Sequence, residues 1–157
     1  MSSAGRPELD WWGPGTVPPV ASIVWCAFPE GLASDRPGPK ARPGLIFKVR
    51  QAFDPPDNRF RVLVAYGTSN LKSNRRPMDF FITNFATRLM CGLPQGTRFD
   101  LDQVLWLPWA RPFFLPREDN PGGSPVISTL PGELQRELGW LMHLRDQRGM
   151  NDAFKAG

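Results

Sequence analysis

Arg42 is the side chain best placed to do chemistry. It stands in the run Lys40-Ala41-Arg42-Pro43-Gly44-Leu45-Ile46-Phe47-Lys48-Val49, at the mouth of a strongly apolar strand. Pro43 fixes its own φ and drives the residue before it toward extended geometry, so the backbone of Arg42 is held in one direction. Its guanidinium then reaches out as a planar fork of donors that suits a phosphate. Two hydroxyls, Thr68 and Ser69, close the next apolar strand after Tyr66-Gly67, and that glycine lets the backbone come close to a ligand. Asn70, Lys72, Arg75 and Arg76 follow in a polar, basic run ending at Pro77, and the cations Lys40, Arg42, Lys72, Arg75 and Arg76 are expected along one rim that attracts an anionic substrate. Groups of this kind offset charge that builds on phosphoryl oxygens, often the largest catalytic contribution.

Other chemistries lack their parts. The single histidine, His143, falls on the predicted C-terminal helix, and one histidine makes neither a zinc pair nor an acid/base couple. There is no Gly-x-x-x-x-Gly-Lys phosphate loop and no Gly-x-Ser-x-Gly elbow. An enzyme built on this chain works with Arg, Thr, Ser or Asp, and neither a cofactor nor a metal is expected. Cys26 and Cys91 lie in or beside apolar runs without Cys-x-x-Cys spacing, so they read as buried thiols suited to a reducing cytoplasm.

The elements that position these residues are short strands. With 157 residues, 41% of them hydrophobic and 22% charged, the chain is sized for one folded domain. Its 18 prolines and 15 glycines favour turns over long helices. Strands are predicted over residues 23 to 28, 45 to 51 and 60 to 66, with Asp54-Pro55-Pro56-Asp57-Asn58 as a hairpin turn between the last two. The apolar Phe80-Phe81-Ile82 comes next, and then a strand pair around 97 to 99 and 104 to 108. Pro131, Glu133 and the spacing of Leu134, Leu138, Leu141 and Arg145 predict an amphipathic helix that docks on the sheet and stops near Gly149. The apolar stripe around Leu138 and Leu141, with Trp140 beside it, is wider than one sheet face needs and suggests a homodimer.

Residues 1 to 20 carry seven Pro or Gly and read as an extended, flexible arm, with Trp11-Trp12 expected to fold back onto a groove of the same domain. Residues 21 to 148 form the domain, a small partly closed β-barrel with a terminal helix, and 149 to 157 a frayed tail. The net charge of +4 and pI near 9.6 suit an anionic partner. The start lacks a basic segment followed by an apolar one, and no apolar run approaches a membrane span of about 20 residues, so a cytoplasmic protein without membrane insertion is expected.

Taken in order, Ile23-Val24-Trp25-Cys26-Ala27-Phe28, the Arg42-Pro43 strand start, Val62-Leu63-Val64-Ala65-Tyr66-Gly67-Thr68-Ser69, Asp102-Gln103-Val104-Leu105-Trp106 and Leu130-Pro131-Gly132-Glu133-Leu134 resemble the MazF/PemK-type toxins. The resemblance spans residues 21 to 144. It implies the SH3-like barrel that these toxins share with the CcdB type, a homodimer, and a metal-independent endoribonuclease that cuts single-stranded RNA by 2′-hydroxyl attack. By the same resemblance, Arg42 grips the scissile phosphate, Thr68 or Ser69 donates to a phosphate oxygen, Asp102 lies near bound RNA as a base, and an acidic antitoxin holds the enzyme inactive. Gln103 and the cationic rim fall on the substrate side. The chain departs from the pattern at Ala21-Ser22, where the family has Gly-Asp, and at Asp100, where some members have arginine; an acid there is expected to repel phosphate. The alternative is a non-catalytic binding or inhibitory protein on the same barrel, such as a CcdB-like gyrase inhibitor or a phage or host interaction module.

Overall fold

The computed structural model describes residues 8–31, 35–51, 59–73 and 77–155. The hairpin turn expected at Asp54-Pro55-Pro56-Asp57-Asn58 lies outside them, as do Arg75 and Arg76. In chain order the elements are β1 (Asp10–Trp11), a 3₁₀ turn (Pro14–Thr16), β2 (Ser22–Cys26), β3 (Arg42–Gln51), β4 (Phe60–Thr68), β5 (Phe80–Ile82) and α1 (Phe85–Met90). β6 (Thr97–Pro108), β7 (Ala110–Arg111), β8 (Val126–Thr129), α2 (Gly132–Gln147) and α3 (Asp152–Lys155) follow. The fold is mainly β. Six strands make one curled antiparallel sheet in the order β5-β6-β4-β3-β2-β8, while β1 and β7 pair separately.

Side chains alternate across a strand, and here both faces of the sheet are covered. Ile23, Leu45, Leu63 and Ala65 belong to one core layer, which Leu138 of α2 and Phe154 of α3 close. Val24, Ile46, Val62 and Val64 belong to the other, closed by Trp109, Phe113 and Phe114 with Trp12 against them. This double burial is why the central strands read as nearly unbroken apolar runs.

Three differences from the sequence reading have local physical causes. The expected strand pair at 97 to 99 and 104 to 108 is one long strand, β6, because both halves pair with the same neighbour, β4, on either side of an interruption in the ladder. Tyr66 pairs with Asp100 and the adjacent Ala65 with Val104, so Leu101, Asp102 and Gln103 bulge out of the ladder. Second, the part of the expected arm from residue 8 onward packs on the domain. Trp12 donates its indole N–H to the Phe114 carbonyl at 3.0 Å, its ring lies 6.4 Å from that of Trp109, and Trp109 donates to the Thr16 hydroxyl at 3.2 Å. The Trp12 side chain thus folds back, as its apolar body and single donor require. Third, the tail expected to fray carries α3, whose Phe154 meets Phe47 edge-on at 4.7 Å and accepts from Lys48 Nζ at its carbonyl.

The stripe on α2 is used internally. Leu138 is buried and Leu134, Leu141 and Met142 pack against the same core, leaving Trp140 exposed beside His143. The other large apolar groups at the surface are concentrated on α1, at Phe85, Leu89 and Met90. Among the described residues no helix is long and apolar enough to cross a membrane.

Candidate functional site

The start of β3 and the end of β4 come together because Gly67 has no side chain. A Cβ there would collide with the Pro43 carbonyl and with the Phe99 ring, so the glycine serves the contact between the two strands rather than the approach of a ligand. Strand pairing of Gly44 with Tyr66 then places the residues after Gly67 beside Arg42. Arg42, Thr68 and Ser69 share a cleft of about 150 Å³ with Trp25, Gln95 and Thr97. Arg42 also borders a second cleft of about 410 Å³, whose walls include Lys40, Gln103, Tyr66 and Glu30. It stands on the ridge common to both.

The Arg42 guanidinium is half-buried, with its carbon 5.9 Å from the centre of the Tyr66 ring. It makes no hydrogen bond and no ion pair among the described residues. Its N–H fork is therefore unused. Thr68 is only 6% exposed, and its hydroxyl oxygen accepts the Asn70 N–H at 3.1 Å, which leaves the hydroxyl proton to donate. Ser69 is the exposed hydroxyl of the pair.

Behind the clefts lies a buried ionic network. Arg98 donates from Nε to the Asn70 carbonyl at 3.0 Å and from Nη1 to Asp79 at 3.0 Å, with Asp100 3.5 Å from the same nitrogen. Asp100 in turn accepts the Asp102 backbone N–H at 3.0 Å and the Gln103 side-chain amide at 2.8 Å. One arginine thereby braces the turn after Thr68 and, through Asp100, the Gln103 wall of the larger cleft. Arg145 is fully buried and donates to Asp102, to Asn151 and to the carbonyls of Met78, Leu101 and Met150, all between 2.8 and 3.2 Å. Asp79, Asp100 and Asp102 bring carboxylate oxygens within 4.8 Å of one another, a grouping able to hold a metal ion in principle. The guanidinium of Arg98 lies against two of these carboxylates and that of Arg145 against the third, and they supply the balancing charge.

The structure thus unites Arg42 with Thr68 and Ser69 in one cleft, and with Lys40 and Gln103 in the other. Asp102 lines neither; its carboxylate is paired to Arg145 at 2.9 Å. Asn70 and Lys72 also line neither: Asn70 shapes the turn, accepting the Lys72 N–H at 3.1 Å. The repulsion expected from Asp100 does not arise at the surface, because that residue is buried and its carboxylate faces Arg98. Both cysteines are buried and free, and burial pushes their thiols up, away from nucleophilic thiolate.

Sequence reasoning missed Arg98, Asp79, Glu30 and the role of Arg145. For Arg145 a signal existed, since a cation on the apolar stripe of a helix needs a buried partner. No known protein family's sequence profile matches the chain, and no curated protein is significantly similar to it.

Proposed function

We propose that the chain is a MazF/PemK-like endoribonuclease on an SH3-like barrel, acting on single-stranded RNA without a metal. The observation that carries this reading is the unused fork of Arg42 beside two hydroxyls in a cleft sized for a phosphate group rather than a whole ligand. In the reaction the RNA 2′-hydroxyl gives its proton to solvent as its oxygen bonds to the adjacent phosphorus, and the bond to the 5′-oxygen breaks as that oxygen takes a proton from solvent, leaving a 2′,3′-cyclic phosphate and a 5′-hydroxyl. Arg42 offsets the charge that grows on the phosphoryl oxygens, and Ser69, with Thr68 behind it, donates to one of them. Asp102, held by Arg145, fixes the bulge that presents Gln103. Lys72, Arg75 and Arg76 add positive charge that attracts the strand.

The same resemblance supports a cytoplasmic protein controlled by an acidic antitoxin segment that competes with RNA for the cations. It also supports a homodimer. With Leu138 and Leu141 turned to their own sheet, that dimer would use the apolar surface left on α1 and at Trp140.

Two observations favour a second reading, the non-catalytic binder. Thr68 is nearly buried, and Asp102 is ion-paired rather than free to act as a base. One experiment separates the two: incubate the purified protein with mixed single-stranded RNA in chelator and map the ends. Discrete fragments ending in 2′,3′-cyclic phosphate support the nuclease, and intact RNA that is nonetheless bound supports the binder.

A further inference from the structure

The larger cleft has a chemistry of its own. Its residues come from the loop after β2, the loop before β3, the end of β4 and the β6 bulge. At about 410 Å³ it falls in the size range of sites that hold a small organic ligand. The orientation of the Gln103 amide is forced. The Asp100 carboxylate can only accept, so Nε2 must face it at 2.8 Å, and Oε1 is left as an acceptor. Asp100 is itself fixed by Arg98 and the Asp102 N–H. Glu30 adds a carboxylate, again acceptor-only, with no ion pair to Lys40 or Arg42 among the described residues. Cations at Lys40 and Arg42 and a half-buried Tyr66 ring, steadied by Phe28 at 5.3 Å, complete the wall.

Glu30 is an exposed carboxylate on the rim of a cleft otherwise suited to phosphate, and it repels an anionic ligand unless that ligand brings N–H groups to meet it. We infer that this cleft binds a nucleobase joined to the phosphate at Arg42, and that it selects guanine. The inference rests on the RNA reading of the site and names the base it prefers.

Guanine alone among the four bases carries two adjacent N–H donors on its Watson–Crick edge, at N1 and N2, which a carboxylate accepts together. Its O6 acceptor suits Lys40. Adenine and cytosine each set a ring-nitrogen acceptor beside their amino group, and uracil flanks its one N–H with two carbonyls, so each turns a lone pair toward Glu30. Tyr66 offers a stacking face to any base and contributes affinity without choice.

The test is titration of the purified protein with the 3′-monophosphates of guanosine, inosine, adenosine, cytidine and uridine, followed by tryptophan fluorescence. The guanosine nucleotide is expected to bind roughly tenfold more tightly than the adenosine, cytidine and uridine nucleotides, with inosine, which lacks the N2 amine, between them. Glu30→Gln should bring the five within about threefold of one another, while Arg42→Ala weakens all of them alike. Equal affinities in the wild type, a guanosine preference that survives Glu30→Gln, or no saturable binding up to about 10 mM would each overturn the inference. These titrations do not depend on cleavage. A guanosine preference in a protein that leaves RNA intact removes the nuclease reading and keeps the base site.

Discussion

Arg42 and Arg145 are the same side chain put to opposite uses. Arg145 is fully buried and engages Asp102, Asn151 and three backbone carbonyls, two of them, those of Met78 and Leu101, from distant parts of the chain. Arg42 stands half-exposed between two clefts with its donors uncommitted. A guanidinium whose donors are all engaged ties elements together, here α2, the α2–α3 connection and the β6 bulge. One whose donors remain open can meet the acceptors of a ligand. Arg98 lies between the two: it is buried and committed like Arg145, yet its partners Asn70 and Asp100 form the supports of the clefts.

The contrast is broken first through stability. Arg145→Met removes five hydrogen bonds and leaves three close carboxylates short of one cation, so it should cost about 3–5 kcal/mol, measured by chemical denaturation. A loss below about 1 kcal/mol would mean that Arg145 does not hold the fold. Gly67→Ala should cost about 1–3 kcal/mol, because the new methyl meets the Pro43 carbonyl, and it should reduce RNA cleavage as β4 moves off Arg42. Wild-type stability and activity in that variant would show that the strands can part without consequence.

Ser69→Ala is expected to lower cleavage by roughly tenfold, the effect of one lost hydrogen bond of about 1.4 kcal/mol, with no change in the denaturation midpoint. An unchanged rate would take Ser69 out of the site. A pH effect comes from Cys26, whose thiol burial pushes up. The folded state keeps that proton at pH values where an unfolded thiol, near pKa 8.5, has lost it. The folded state then binds more protons than the unfolded one, so this contribution is full below about pH 8.5 and falls as pH rises beyond it. Denaturation at pH 7 and pH 10 should show a steeper decline in wild type than in Cys26→Ala, and parallel declines would contradict it. The smallest expected effect is at Lys72, where substitution by Glu should lower the salt dependence of RNA binding by about one unit of slope without changing base preference.

Much of this was legible locally. The run from Arg42 to Gln51 and the run from Phe60 to Thr68 show their apolar strands and terminal polar groups within a few residues, and strand pairing then brings Arg42, Thr68 and Ser69 to one end. What escaped depends on partners far apart in the chain. Nothing near Arg145 announces that Met78 and Leu101 will present carbonyls to it. Asp100 beside Asp102 reads as surface charge until Arg98, two residues earlier, is seen to turn inward with it. The β6 bulge was hidden for the same reason: its three extra residues are defined only by their pairing with β4. Tryptophans near the N-terminus gave a correct warning, since an apolar ring with one donor seeks a groove, and Trp12 found one at Phe114.

The central claim is that Arg42 is reserved for a phosphate of bound RNA. Its most direct test is the single-turnover cleavage rate of Arg42→Ala against wild type, in chelator, with denaturation midpoints recorded on the same preparations. A loss of roughly 10²–10³ in rate with an unchanged midpoint is predicted, the size expected when one transition-state donor is removed. A rate equal to that of the wild type would contradict the account.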